Sequence, residues 1–583
     1  MTNNSKIILL LLLSFEIMSC SKVLDKKNLS AVDPATVWSN PAIATAYLNN
    51  IYAAVLTANP NATYSCTGNL SDEAVAYQRQ LNSALRGTAT FDTWNNFSQY
   101  NNIRTINILL GQIDGATFSQ ADKDMIKGQA LLLRAWAYHI LVSGYGGVPL
   151  ILEAQSPTSD LTQLQKPRNK TSECVTQILK DLDAAIALLP DVSSGNDVGR
   201  VDKGSAMAYK GRVLLFYASP LFNGLGGVAS WQKAYDANKA AKDFLDAHGK
   251  GLYASYGKIW DDELNKEAVM VRRYNYPQAT YFQGGLIPLN WSKDDVGYDR
   301  PSLELVNAFP MKDGSSWDSQ TRSYDTLFRN RDDRFYASIY YNGSPNQYLK
   351  GMRDDKTYLW TYFTTITNYN GATGLEGVHN DVTTDPLWSN SSFYRIKGID
   401  KNIDKGTVYN AAVDWIEIRY AEVLMNYGEC ANELGKTTEA LDVLKQIRNR
   451  AGILAGAGGN YGITAASQNE MRTAYQKERF VEFCFENKRW DDLRRWKLFG
   501  YMNALQQRHG IAVLLKPGET KVSPMDDINT VWTKFTSTVI TTDAGNIALK
   551  DQYYIYGIPK AILDRNPLLK QNNNWGGDFD PLQ

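Results

Sequence analysis

Three glutamates recur at intervals of four in ERFVEFCFENKRW (478–490): Glu478, Glu482 and Glu486. That interval places them on one face of a helix. Carboxylates of this kind could do acid–base chemistry, and glycosidic cleavage needs two of them flanking the bond across a cleft. Three on a single helix face suit a ladder of ion pairs with arginines of a neighbouring helix better, and Arg489, Arg494 and Arg495 follow closely. No catalytic residue is therefore assigned. Gly435-Lys436-Thr437 imitates the end of a phosphate loop, but Cys430 stands where the first glycine of that loop is required. Neither H-E-x-x-H nor G-x-S-x-G occurs. The cysteines (Cys20, Cys66, Cys174, Cys430, Cys484) and histidines (His139, His248, His379, His509) are dispersed, without metal-ligand spacing. The expectation is a protein with no catalytic metal and no cofactor.

Aromatic side chains offer a different chemistry. The chain holds 34 Tyr, 19 Phe and 14 Trp, and the excess of Tyr over Phe points to rings with wet hydroxyls. Lys+Arg and Asp+Glu are both 61, so the cationic excess that nucleic acid demands is missing. A neutral, ring-rich protein suits a sugar, whose C–H face stacks on Tyr or Trp while its hydroxyls pair with Asp, Asn and Arg. The segment 274–300 concentrates Tyr274, Tyr276, Tyr281, Phe282, Trp291 and Tyr298 without a helical stripe to bury them. Trp291, Tyr281, Phe282 and Tyr298 are the leading ligand candidates, with Trp317 and Trp360 behind them. Asp72 and Arg79, from SDEAVAYQR (71–79), are candidate polar partners. Trp94, Trp136, Trp415 and Trp490 fall in helical blocks and are expected to pack in the core.

The elements that must position these groups are mostly helices. In 174–190 apolar residues mark one helical stripe, stopped by Pro190. Residues 124–142 are apolar nearly all round, as a helix buried between neighbours would be. Asp202 caps a helix over 202–218, whose Gly204, Ala206, Ala208 and Gly211 allow close helix approach. Helices are expected over 413–434 and 438–451, ended by Gly435 and Gly452, and over 470–487 behind a Ser467/Glu470 capping box. These pairs imply a mainly α, tetratricopeptide-like helical-repeat scaffold. It covers about 36–250 and 413–500, with a C-terminal segment over 501–583. Between about 251 and 412 the pattern gives way to a loop-rich insertion with short strand-like runs, 269–276 and 335–341. A single domain over 20–583 is expected.

The chain opens with KIILLLLLSFEIMSC (6–20), an apolar run too short to span a bilayer and suited to a secretory signal over 1–19. Ile17-Met18-Ser19-Cys20 resembles a bacterial lipobox, with Cys20 as the acylated residue and Glu16 a small departure.

Taken together, GQALLLRAWAYHILVSGYGGVPLI (128–151), GRVDKGSAMAYKGRVLLF (199–216), WIEIRYAEVLMNYGECANELG (415–435), RDDRF (331–335), ERFVEFCFENKRWDDLRRW (478–496) and YYIYGIPKAILDRNPLLKQNNNW (553–575) resemble the SusD/RagB family of outer-membrane nutrient-binding lipoproteins. The blocks run in family order along nearly the whole chain. The resemblance implies a lipid-anchored protein on the outer membrane, facing the cell exterior and partnered with a SusC-like TonB-dependent transporter. It implies capture of oligosaccharides, or in some members peptides, and not catalysis. It carries over no sugar specificity, and a secreted glycan-cleaving enzyme remains the alternative from another class.

Overall fold

The computed structural model describes residues 34–56, 67–76, 81–156, 160–286, 299–318, 326–345, 358–359, 362–363, 378–379, 391–403, 407–523 and 525–583. The chain is mainly helical, a tetratricopeptide-like series of helices packed neighbour on neighbour. Helices α1 (Pro41–Val55) and α2 (Gln99–Ile113) pack against α3 (Gln120–Tyr145), which in turn packs against α4 (Thr171–Leu188). Being enclosed on both sides explains why α3 is apolar nearly all round. Its one deeply buried cation, Arg134, is neutralised where the three helices meet. Nε and Nη2 donate to Asp181 of α4 at 2.7 and 2.8 Å, and Nη1 donates to Asn107 of α2 at 3.0 Å.

The series continues through α5 (Lys203–Ala218) and α6 (Trp231–Ala247) to α7 (Tyr420–Glu433), α8 (Thr437–Arg450), α9 (Gln468–Glu482) and α10 (Arg489–Arg495). Asp202 caps α5 by accepting from the Ser205 N–H at 2.9 Å, and Ser467 and Glu470 form the capping box of α9. Gly211 is the close-approach point of α5. A Cβ there would collide with Asn238 of α6, whose amide instead donates to the Gly211 carbonyl at 3.1 Å. Gly435 and Gly452 end α7 and α8 with φ of 75° and 74°, the left-handed turn that glycine adopts at least cost.

Three local expectations change. Trp415–Arg419 is a strand, pairing antiparallel with Ala268–Arg272 before the chain turns into α7. Both faces of this short ladder are largely buried, and the polar Glu417 and Arg419 in WIEIR are held there by ion pairs. The run 335–341 is half helix, because Asp332 caps Asp333–Ser338 by accepting from the Arg334 and Phe335 N–H groups. Finally, α9 stops at Glu482. Phe485 and Asn487 follow with φ of 61° and 58°, so Glu486 sits in a turn rather than on the helix. The remaining strands relevant to the site are β1 (Ala74–Val75), β2 (Ala268–Arg272), β3 (Arg300–Pro301), β4 (Trp415–Arg419) and the hairpin partners β5 (His509–Leu515) and β6 (Phe535–Thr541).

The acidic ladder of the sequence lies at the junction of scaffold and insertion. Arg419, at the end of β4, donates from Nη1 to Glu267 (2.7 Å) and Glu482 (2.6 Å), and from Nη2 to Glu486 (2.9 Å). Arg450 of α8 pairs with the same Glu267 at 2.8 Å and with Glu482. Arg334 of the insertion reaches Asp332 (2.7 Å), Glu478 (2.7 Å) and Glu482 (3.0 Å). Arg448 holds Glu478 at 2.8 Å, and Lys397 holds Glu486 at 2.5 Å. Five carboxylates thus face five cations, and the cluster is neutral. The arginines come from several elements rather than from one neighbouring helix.

Burial alone would raise Glu478, Glu482 and Glu486 above the usual carboxylate value. The adjoining arginines, with Lys397 at Glu486, outweigh it and hold all three below that value. Groups depressed in this way stabilise the fold above the unfolded value of 4.5, and that contribution is lost as pH falls below it. Two results follow. Glu482→Gln removes a carboxylate shared by Arg334, Arg419 and Arg450, leaves the buried cluster with one cation in excess, and should cost about 3–5 kcal/mol in chemical denaturation. In thermal scans the wild type should lose stability steeply as pH is lowered from 5 toward 2, and the variant less steeply.

Candidate ligand-binding face

The first candidate region is the turn 67–76 and the short ladder it enters. Val75 of β1 pairs with Arg300 of β3 and Ala74 with Pro301, which joins this turn to the strand that follows Asp299. The turn is pinned from beneath by two arginines. Arg508 Nη1 donates to the carbonyls of Asn69 and Ser71, both at 3.1 Å, while its other nitrogens hold Asp543. Arg489 of α10 clasps Asp72 from Nε (2.8 Å) and Nη2 (2.7 Å), and the Tyr501 hydroxyl donates to the same carboxylate at 3.0 Å. Asp72 is fully buried. Its expected role as a hydroxyl partner for a sugar is therefore corrected: both oxygens are committed, and the residue anchors the turn to the scaffold.

The neighbouring Glu73 is also enclosed. Burial, together with the nearby Asp299, pushes its carboxyl up to about 8. A raised carboxyl beside a second one resembles an acid–base pair, but both residues are only 2% exposed. A catalytic acid must touch the bond it protonates, and these two face the interior behind the ladder.

The second region is the start of the ring-rich segment. The Tyr281 N–H donates to the Ala411 carbonyl at 2.9 Å and the Gln283 N–H to the Val408 carbonyl at 3.0 Å. The Gln283 amide donates to the Asp400 carbonyl at 2.9 Å. These bonds stitch 281–283 to 400–411 in extended form, so adjacent side chains point to opposite sides. Tyr281 turns inward, packs edge-on against Tyr274 at 5.1 Å and is 5% exposed. Phe282, on the opposite side, packs against another apolar cluster that includes Leu286 and Val408. It is half-buried and stacks on Tyr409 at 4.7 Å between ring centroids. Tyr409 is 62% exposed, and Tyr276, in the turn closed by Asn275 and Ala279, is 64% exposed.

Of the rings expected to meet ligand, Phe282 is half-buried and reaches the surface beside Tyr409. Tyr281 and Trp317 do not: Trp317 is 7% exposed in a second apolar core with Phe309, Met311 and Phe328. A buried ring offers no face to stack on, which corrects both. Trp291, Tyr298, Trp360 and Arg79 lie outside the described residues. Tyr409 was missed by sequence reasoning. Its signal is weak, a single ring in GTVYN (406–410) between two polar stretches. Trp136, Trp415 and Trp490 are buried and Trp94 stacks on Tyr556 at 4.3 Å, as expected of core rings. Among the described residues no group of three or more His, Cys, Asp or Glu is placed to hold a metal ion.

Comparison with known proteins adds the family. The model of the SusD family matches residues 257–575. A second model, described as starch-binding and associating with the outer membrane, matches residues 22–215. A SusD-like protein of Formosa agariphila is 24% identical over 401 residues, covering 65% of this chain and 69% of that one. Among solved structures, a SusD-like protein from Bacteroides fragilis superposes with a TM-score of 0.71 at 22% identity, covering 93% of this chain and 98% of the other. A second Bacteroides fragilis structure, described as a SusD-like carbohydrate-binding protein, also gives 0.71, at 20% identity, covering 91% and 99%. With one family model matching more than half of its length, the chain belongs to the SusD family.

Proposed function

We propose that this protein captures oligosaccharide nutrients at the outer membrane and passes them to a SusC-like TonB-dependent transporter without cleaving them. The carrying observation is the stacked Phe282–Tyr409 pair, whose outer ring is largely exposed on a segment hydrogen-bonded to the fold. A flat, wet ring on a fixed base is what a sugar C–H face binds. Family membership and the carbohydrate-binding description of a structural relative support the ligand class. The proposed site also draws on Trp291, Tyr298 and Arg79, which lie outside the described residues.

Capture without turnover is supported by the state of the carboxylates. Glu478, Glu482 and Glu486 are consumed in buried ion pairs, and Glu73 and Asp299 face inward. Among the described residues no helix is long and apolar enough to cross a membrane. The proposed attachment is acylation of Cys20, which lies outside them.

Two experiments test the reading. Oligosaccharides and peptides should be titrated into wild type and Tyr409→Ala. Loss of one stacked ring is worth about 0.5–1.5 kcal/mol beyond area burial, so oligosaccharide affinity should fall several-fold to about tenfold. Thermal stability should change little, and the sugar should be recovered with no new reducing ends. Binding of peptides alone would favour peptide capture, and appearance of shortened glycans would restore the enzyme. In cells, labelled fatty acid should enter the wild type and not Cys20→Ala; equal labelling would contradict the anchor.

A further inference from the structure

A pocket of about 580 Å³ opens between the segment 326–345 and the residues Ile528–Trp532. That volume lies within the range of about 300–1,000 Å³ usual for small-molecule sites. Phe328, Tyr336, Tyr341 and Trp532 supply aromatic wall, and Asn330 and Asn529 are exposed polar residues of the lining. The rings brace one another: Phe328 stacks on Tyr341 at 4.9 Å and meets Trp532 edge-on at 5.7 Å. The Tyr336 hydroxyl donates to the Phe328 carbonyl at 3.0 Å, which fixes that ring as well.

The informative residue is Arg329. Its guanidinium lies over the Trp532 ring, 5.0 Å from the centroid. It is half-buried, and no carboxylate pairs with it among the described residues. Its Nε is buried without a hydrogen-bond partner, as is Nε1 of Trp532, a residue 95% buried in the same wall. The arginines that follow it have acceptors within the fold. Arg331 donates to the carbonyls of Leu327 (2.7 Å), Phe309 (2.6 Å) and Val306, and Arg334 holds three carboxylates. The fold therefore spends anions and carbonyls on Arg331 and Arg334 and leaves Arg329 a cation on an aromatic wall.

From this geometry we infer that the pocket is a subsite for an acidic sugar unit, with Arg329 binding its oxyanion. A planar guanidinium matches a carboxylate or sulfate in a forked pair. Tyr336, the half-buried ring of this wall, suits the sugar's C–H surface, and Asn330 and Asn529 suit its hydroxyls. The inference rests on the glycan-binding reading above and extends it from ligand class to ligand charge. It concerns elements distinct from the Phe282–Tyr409 face.

The test is an array of uronate-bearing, sulfated and neutral oligosaccharides probed with wild type, Arg329→Gln and Arg329→Lys, each first shown to be folded by its melting curve. Acidic glycans should be among those bound by the wild type. Arg329→Gln should weaken them by about tenfold or more, as loss of a charge-assisted hydrogen bond does. Arg329→Lys should restore part of that affinity, and neutral glycans should be unaffected. Whether the uronate or the sulfated arm responds identifies the oxyanion. Binding of neutral glycans only, or acidic binding unchanged in Arg329→Gln, would overturn the subsite while leaving glycan capture intact. Failure of every glycan to bind would overturn both.

Discussion

A buried, neutral set of ion pairs joins the helical scaffold to the insertion. Five carboxylates and five cations meet where the helical scaffold receives the long insertion, and nearly all of them are excluded from water. Each charge contributes only if its partner is present, because an isolated ion in such a place costs several kcal/mol. The set as a whole need not add net stability over well-packed apolar residues. What it imposes is geometry. Glu267 precedes β2, Arg419 ends β4, Arg448 and Arg450 end α8, Glu478 and Glu482 line α9, and Arg334 and Lys397 belong to the insertion. Satisfying all of them at once permits one arrangement of these elements.

That arrangement explains how a long, irregular segment can carry a binding surface. Ligand contacts on loops are worth more when the loops are ordered beforehand, since ordering upon binding subtracts from affinity. Here the 281–283 strip is bonded to 400–411, and the turn 67–76 is pinned by Arg489 and Arg508. The same principle recurs in α3, where Arg134 ties three helices through Asp181 and Asn107. Buried arginine with matched acceptors is the device this chain uses repeatedly to join parts distant in sequence.

Much of the scaffold was legible because helical stripes, caps and terminal glycines are local signals. Asp202, Ser467, Gly435 and Gly452 all act as their types suggest. What escaped the sequence was anything decided by distant partners. Asp72 and Arg489 are 417 positions apart, so nothing local reveals that they neutralise each other. Tyr281 and Phe282 are neighbours of similar character, yet the extended backbone sends Tyr281 into one apolar cluster and Phe282 to the edge of another, beside Tyr409. Without knowing which strand Ala411 belongs beside, the phase of that alternation cannot be set. Trp317 sits in a polar, loop-like stretch, but Met311 and Phe309 just before it carry it into a second core. Glu486 left the helix because Phe485 and Asn487 adopt left-handed turns, and its partners are Arg419 of β4 and Lys397 rather than arginines of a neighbouring helix.

The central claim is that scaffold and insertion are one cooperative unit joined by the buried ion pairs. Native-state hydrogen exchange on the intact protein measures this directly. Amides of Asp333–Ser338 in the insertion, of β4, and of α8 and α9 should open together, with one shared free energy and one denaturant dependence. If the insertion amides exchanged through a separate opening of much lower free energy, with α8 and α9 still protected, the ion pairs would not be the joint that this account makes them.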